Sequence, residues 1–268
     1  MENKPNSPAA LNKKLTSFIN DLAAETDAAR ISEVMQNYLA FCGSFYRYSL
    51  SNQFFIYLFK PDATLVAGYT DWTRKHRYVK KGEKGIPILA PCPLVIKDEE
   101  ENIIKQQLRF KTVYVFDISQ TDGEPLPDAP EWKSQEKYPE LEDMFIQYAK
   151  SINVTVDIED LSAKGGAQGF SSGGQIVLDP MAGTKTLIHE IAHELLHHNK
   201  ESRSKSRDEV ELEAEAVAYV VARALNISNL QSPNYLAFWN ADGSKILDRL
   251  DTIRTTANKI LTAIFPVK

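Results

Sequence analysis

Four of the five histidines in this 268-residue chain fall within one short stretch, at positions 189, 193, 197 and 198. Two of them frame the run His189-Glu190-Ile191-Ala192-His193. Residues four apart share one face of a helix, so both imidazoles can address the same ion. Glu190 flanks that ion, where it can take a proton from water. The pattern suits Zn2+, whose catalytic sites use three protein ligands and keep one position for water. The chemistry expected of it is hydrolysis of a peptide by metal-activated water, with Glu190 as the catalytic carboxylate and the ion stabilising the oxyanion. Leu196 and Asn199 stand where a glycine and a third histidine would complete the ligands along one helix, so that route is closed. The next candidate stretch, Glu209-Val210-Glu211-Leu212-Glu213-Ala214-Glu215-Ala216, offers Glu211 and Glu215 four apart on one face. Glu211, 18 residues after His193, is the expected third ligand. Glu215 is then the carboxylate that holds His189 by its other ring nitrogen. Spacing alone allows the two roles to be exchanged.

The rival reading is a solvated helix with charges on its outer face. Against it, Leu187, Ile188, Ile191, Ala192, Leu195 and Leu196 make most of the helix apolar. A buried helix leaves two histidines and a glutamate needing partners, and a cation supplies them. His197 extends the same face one turn further as a supporting or surface residue, and His198 faces elsewhere. Tyr219, one turn past Glu215, could donate to an oxyanion, although a tyrosine in the core is the commoner case.

A second cluster lies near the other end. Between Asp71 and Gly85, Arg74, Lys75, Arg77, Lys80, Lys81 and Lys84 face only Asp71 and Glu83, with Phe45, Tyr46, Tyr48, Tyr57, Tyr69, Trp72 and Tyr78 close by in sequence. Cations for phosphates and flat rings for unstacked bases are what a single-strand binder needs. The candidate contacts are Arg47, Tyr48, Asn52, Trp72, Arg74, Arg77, Lys80, Lys81 and Lys84. A solvated surface over an aromatic core is the competing reading.

The elements that must position these residues follow from periodicity. Two helices are expected from Pro8 to Phe45, the second capped by Asp27, and a third over Ser51–Phe59 that stops at Pro61. Ile86–Leu89, Leu94–Lys97 and Leu108–Phe116 read as strands, with Asp98–Asn102 as a hairpin tip. Five glycines and prolines between 121 and 139 mark a linker, which places the domain boundary near 130. Beyond it come a helix over Leu141–Ala149, strands at Val154–Ile158 and Gln175–Leu178, and helices over Thr184–His198, Arg207–Leu225 and Ser244–Ile264. The glycines from 165 to 174 read as a turn beside an edge strand. Gln175–Leu178 is the strand on which an extended peptide would add itself.

Composition bounds the rest. Apolar residues make up 43 % and charged residues 25 %, ordinary for a globular protein with a sizeable core. Residues 1–130 hold 16 basic and 16 acidic side chains, and residues 131–268 hold 15 and 20. The net charge of −5 therefore lies in the second half, and a nucleic-acid face must be a local patch. Cys42 and Cys92 have no metal-like spacing and read as reduced thiols. With no signal-like start and no membrane-length apolar run, a cytoplasmic protein is expected.

Several motifs also resemble a known family. Tyr48-Ser49-x-Ser51-Asn52, the spacing Pro61…Gly68…Trp72, the run Val79-Lys80-Lys81-Gly82-Glu83-Lys84-Gly85-Ile86, and Val115-Phe116-Asp117-x-Ser119-Gln120-Thr121 resemble the N-terminal domain of ArdC antirestriction proteins. His189-Glu190-x-x-His193 with Glu211-Leu212-x-Ala214-Glu215 resembles that family's metallopeptidase-like domain and is similar to ImmA/IrrE-type metallopeptidases. The resemblance spans roughly 44–127 and 165–240; Phe59 stands where the family tends to have glutamine. It implies an antirestriction protein of a mobile genetic element that binds single-stranded DNA. It also implies zinc held by His189, His193 and Glu211, with Glu190 catalytic. The fold expected is α+β in two domains. Residues 1–130 would be helices with a small antiparallel sheet, and 131–268 a helix-rich, zincin-like (gluzincin-type) domain with a small sheet. Two functions compete: a zinc metalloendopeptidase carried on single-stranded DNA, and a DNA-binding protective protein whose metal site is structural or non-proteolytic.

Overall fold

The structure, a computed structural model, describes residues 5–24, 28–97, 103–126, 132–133, 137–162, 167–198, 205–228 and 243–265. Asp27, the hairpin tip at 98–102 and the connection at 199–204 lie outside them. In chain order the first elements are α1 (Pro8–Ala24), α2 (Ala28–Ser44), α3 (Leu50–Phe59), β1 (Val66–Gly68), α4 (Tyr69–Arg74), β2 (Arg77–Val79), β3 (Ile86–Lys97), β4 (Ile103–Asp117) and β5 (Thr121–Gly123). They are followed by β6 (Trp132–Lys133), α5 (Pro139–Ser151), β7 (Thr155–Ile158), β8 (Gly169–Ser171), β9 (Gln175–Leu178), α6 (Thr184–Leu196), α7 (Arg207–Ala224), β10 (Ile227–Ser228) and α8 (Gly243–Ile264). The fold is α+β, with helices beside small sheets.

The chain divides into two units that do not follow its order. One is Met1–Asp21 with Tyr48–Pro127, the other Leu22–Arg47 with Asp128–Lys268. α2 thus belongs with the C-terminal unit, whereas a cut near 130 would leave it in the first domain.

In the first unit, β3 and β4 form a long antiparallel hairpin with β1 added on the far side of β4. α3 begins at Ser49, whose hydroxyl accepts from Asn52 N at 3.4 Å, and it ends at Lys60 before Pro61. Asn52 then closes the outer edge of β3: its Nδ2 donates to Leu89 O at 2.9 Å and its Oδ1 accepts from Leu89 N at 2.8 Å. α1 covers α3 with Phe18 against Phe54, ring centroids 5.9 Å apart. Asp117 is buried and accepts from the amides of Thr64, Leu65 and Ser119, tying β1's approach to the end of β4.

In the second unit, β9 is the middle strand of a three-stranded sheet, parallel to β7 and antiparallel to β8. This corrects the expectation that β9 is an open edge; the edge on that side is β8. Gly173 (φ 81°) and Gly174 (φ 98°) make the tight β8–β9 turn, a conformation that glycine adopts without strain. Their amides donate to Glu194 of α6 at 3.0 and 2.8 Å, which fastens the hairpin to that helix. α2 lies so close to α7 that a Cβ on Gly43 would stand 2.8 Å from Arg223 Cβ and 2.9 Å from Val220 O.

Candidate metal centre

α6 is buried through Leu187, Ile188, Ile191 and Ala192, and this fixes which side its histidines present. α7 starts from a capping box: Ser206 Oγ accepts from Glu209 N at 3.3 Å, and Glu209 Oε2 accepts from Ser206 N at 3.0 Å. That start sets the register in which the glutamates of α7 meet α6.

His189 Nε2 and His193 Nε2 lie 3.0 Å apart, and Glu211 Oε2 is 3.5 Å from each. Donors about 2.0–2.1 Å from a tetrahedral zinc ion stand about 3.3 Å from one another, so these three sides fit a shared cation. Two neutral imidazole nitrogens and a carboxylate oxygen are also the donor set that zinc accepts. His189 Nδ1 is 3.2 Å from Glu215 Oε2, off the line of a good hydrogen bond, and Glu215 pairs with Lys185. The geometry therefore separates the two glutamates: Glu211 joins the triangle and Glu215 stands behind His189.

The electrostatics follow. Burial works against a charge on His189, but Glu211 and Glu215 more than offset it and lift its pKa to about 9. His189 and His193 in turn hold Glu211 well below the usual carboxylate range. Burial pushes Glu190 upward, against the pull of both histidines. Burial also disfavours the charge on Glu215, yet His189 and Lys185 keep it below its ordinary value.

A cavity of about 640 Å3 opens over these groups, lined by β8 and its approach (Gln168 to Ser171), His189, Glu190, His193 and the start of α7. Gly169 allows the close approach, since a Cβ there would lie 3.3 Å from Glu190 Cγ. His198 lies at the rim, with Nε2 3.0 Å from Ser171 Oγ. Tyr219 is buried and does not line the cavity. Arg207, at the first turn of α7, does line it. The sequence reading passed over Arg207, which has no periodic partner to mark it.

The nucleic-acid candidates separate by burial. Trp72 is 0 % exposed and donates from Nε1 to Phe116 O at 2.8 Å, so it is a core residue rather than a stacking platform. Asn52 is saturated by Leu89, and the Tyr48 hydroxyl donates to Val66 O at 3.3 Å. The Arg77 guanidinium binds Thr121 Oγ1 at 2.9 Å and the carbonyl of Glu124, which ties β2 to the end of β5. Arg47 falls in the other unit, where its Nε donates to Tyr46 Oη at 3.1 Å. Arg74 is exposed and pairs with Asp71. Lys80, Lys81 and Lys84 are exposed on the turn before β3. The sequence reading missed an apolar row on one face of β4, Leu108, Phe110 and Tyr114, at 61 %, 52 % and 49 % exposure. Their alternate spacing was the available signal. Among the described residues, no helix is long and apolar enough to cross a membrane.

Comparison with known proteins adds a family. No curated protein sequence matches the chain. Two crystal structures of the antirestriction ArdC protein from the R388 plasmid are similar to it. The metal-free form has a TM-score of 0.47 at 18 % identity, and the Mn(II)-bound form 0.48 at 19 %; each alignment covers 82 % of this chain and 86 % of the other. A family model described as the N-terminal domain of anti-restriction factor ArdC matches residues 15–154, more than half of the sequence. On that match, the chain belongs to the ArdC anti-restriction family.

Proposed function

We propose that the C-terminal unit is a metal-dependent peptide hydrolase and that the N-terminal unit carries it on single-stranded DNA. The observation that carries the first part is the donor triangle of His189 Nε2, His193 Nε2 and Glu211 Oε2, with sides of 3.0, 3.5 and 3.5 Å. These three atoms would hold a divalent cation, and the mixture of two imidazoles with one carboxylate favours zinc. When bound, such an ion supplies Lewis acidity and lowers the pKa of a water toward about 7.

The chain's own groups do the rest. Glu190 borders the cavity from a buried position that raises its proton affinity, so it takes a proton from the attacking water and returns it to the leaving amine. An extended peptide lies along β8, the outer strand over the cavity, whose backbone offers strand-type hydrogen bonds. Arg207 at the cavity wall is placed to receive a substrate carbonyl or carboxylate.

Metal analysis beside hydrolysis of a peptide library tests this. Glu190→Gln is expected to retain one equivalent of zinc and to lose about 10²–10⁴-fold in turnover. Undiminished hydrolysis by that variant removes Glu190 from the chemistry. Full zinc with no hydrolysis by the parent chain points instead to a protective DNA-binding role.

Support for the second part is the exposed turn of Lys80, Lys81 and Lys84, beside exposed Tyr78. Oligonucleotide affinity should fall steeply with salt, and replacing Lys80 and Lys81 by alanine should flatten that slope by about one or two phosphate contacts. No affinity at low salt refutes it.

A further inference from the structure

Behind His193, on the side away from the donor triangle, a line of contacts runs back to a lysine. His193 Nδ1 lies 3.0 Å from His197 Nδ1, and His197 Nε2 lies 3.1 Å from Glu213 Oε2. Lys205 Nζ closes the line at 2.8 and 2.6 Å from the two oxygens of Glu213. The middle of the line is largely shielded: the side chains of His197 and Glu213 are 5 % and 3 % exposed, although His197 also borders the cavity. We propose that Lys205, Glu213 and His197 form a positioning relay that fixes the tautomer of His193 and so readies its Nε2 for a divalent cation.

A carboxylate paired with an ammonium can only accept, so His197 Nε2 must carry a proton. In the relay the one proton between His193 Nδ1 and His197 Nδ1 sits on His193, so that His197 Nδ1 accepts while its Nε2 donates to Glu213. His193 then carries its proton on Nδ1, which leaves the Nε2 lone pair free to face His189 Nε2 and Glu211. A histidine ligand is commonly set in this way by a carboxylate on its other nitrogen. Here the carboxylate acts on His193 through an interposed imidazole. On His189 the matching group is Glu215, directly at 3.2 Å and likewise paired with a lysine, Lys185. Each of the two histidines thus has a glutamate of α7 behind it, and each glutamate a lysine, Lys185 at the start of α6 and Lys205 just before α7.

The relay rests on the metal-centre reading above, and the experiment separates the two. The Kd for Zn2+ is measured by competition with a chromophoric chelator at one pH, together with the melting temperature of the metal-free protein. His197→Phe and Glu213→Leu are each expected to raise the Kd about 10–100-fold. His197→Gln, whose amide oxygen can still accept from His193 Nδ1, should recover most of that loss. Lys205→Met, at a partly exposed position that does not endanger folding, should give a smaller loss in the same direction. A Kd equal to the parent's in all of these overturns the relay and leaves the metal centre standing. A loss that follows only the melting temperature, with no recovery in His197→Gln, also overturns it. Failure of the parent to bind zinc overturns both. If His197→Phe or Glu213→Leu does not fold, Lys205→Met and His197→Gln decide by the same criteria.

Discussion

At the scale of residues, a proton and a cation compete for one place. In the metal-free chain His189 is lifted to about 9 while Glu211 is held low, so near neutral pH the histidine keeps a proton between the two carboxylates. Metal binding must expel that proton. The apparent affinity for zinc should therefore rise by close to tenfold per pH unit from about pH 6.5 toward 9 and then level off. Chelator competition across that range checks it, and a flat profile removes the buried proton. The stability of the metal-free protein carries the opposite sign. A histidine whose folded value exceeds its unfolded one contributes stability that is complete below about 6.5 and lost as the pH rises through about 9. His189, Glu190, His193 and Glu211 could be found in the sequence because helical spacing expresses a shared face locally. Glu213 could not: it lies between Glu211 and Glu215 in sequence, on the far side of an ideal wheel. Helical spacing does put His197, its partner, on the ligand face, and as the C-cap of α6 it meets His193 there. Only the packed pair reveals the contact.

At the scale of elements, residue type was a better guide to presence than to role. The helices carrying the site were legible nearly to their ends, expected over Thr184–His198 and Arg207–Leu225 and found over Thr184–Leu196 and Arg207–Ala224. Apolar periodicity and the Ser206 cap are local signals. Strand neighbours are not local, so the residues of β9 suggest an edge although it lies between β7 and β8. Asn52 shows the same limit: a polar residue near a basic turn suggests a ligand contact, yet it serves as the hydrogen-bonding neighbour that β3 lacks at Leu89. Asn52→Ala strands a part-buried amide and carbonyl, and unpaired groups of this kind cost about 1–3 kcal/mol each. The first unit should thus unfold at markedly lower urea concentration while the folded protein binds oligonucleotide as before. Unchanged unfolding with weakened binding would restore Asn52 as a contact.

At the scale of the whole molecule, the two units interleave along the chain, and this has a consequence for dissection. α2 precedes the first unit's main segment in sequence but lies on α7, the helix that carries Glu211, Glu213 and Glu215. Its Met35, Tyr38, Leu39, Phe41 and Cys42 are buried, and so are Ala216, Val217, Val220 and Val221 of α7. The fit at Gly43 leaves no room for even one methyl group. Burying a large apolar side chain contributes about 1.5–3 kcal/mol before the cost of ordering the chain, so exposing several at once removes much of what holds the unit together. A typical domain keeps only about 5–15 kcal/mol of net stability, so the loss of such a face is enough to unfold it. A fragment beginning at residue 128 keeps every proposed ligand yet exposes the back of α7. It should lose its cooperative thermal transition and, with it, the register that brings Glu211 to the two histidines. Circular dichroism melting with zinc titration of that fragment and of the full chain makes the comparison. A fragment that melts sharply and binds zinc as the full chain does would show that α2 is dispensable and that the boundary near 130 divides the protein cleanly after all. Restoration of both properties by a peptide spanning residues 22–47 would instead identify α2, which packs on α7, as the missing part.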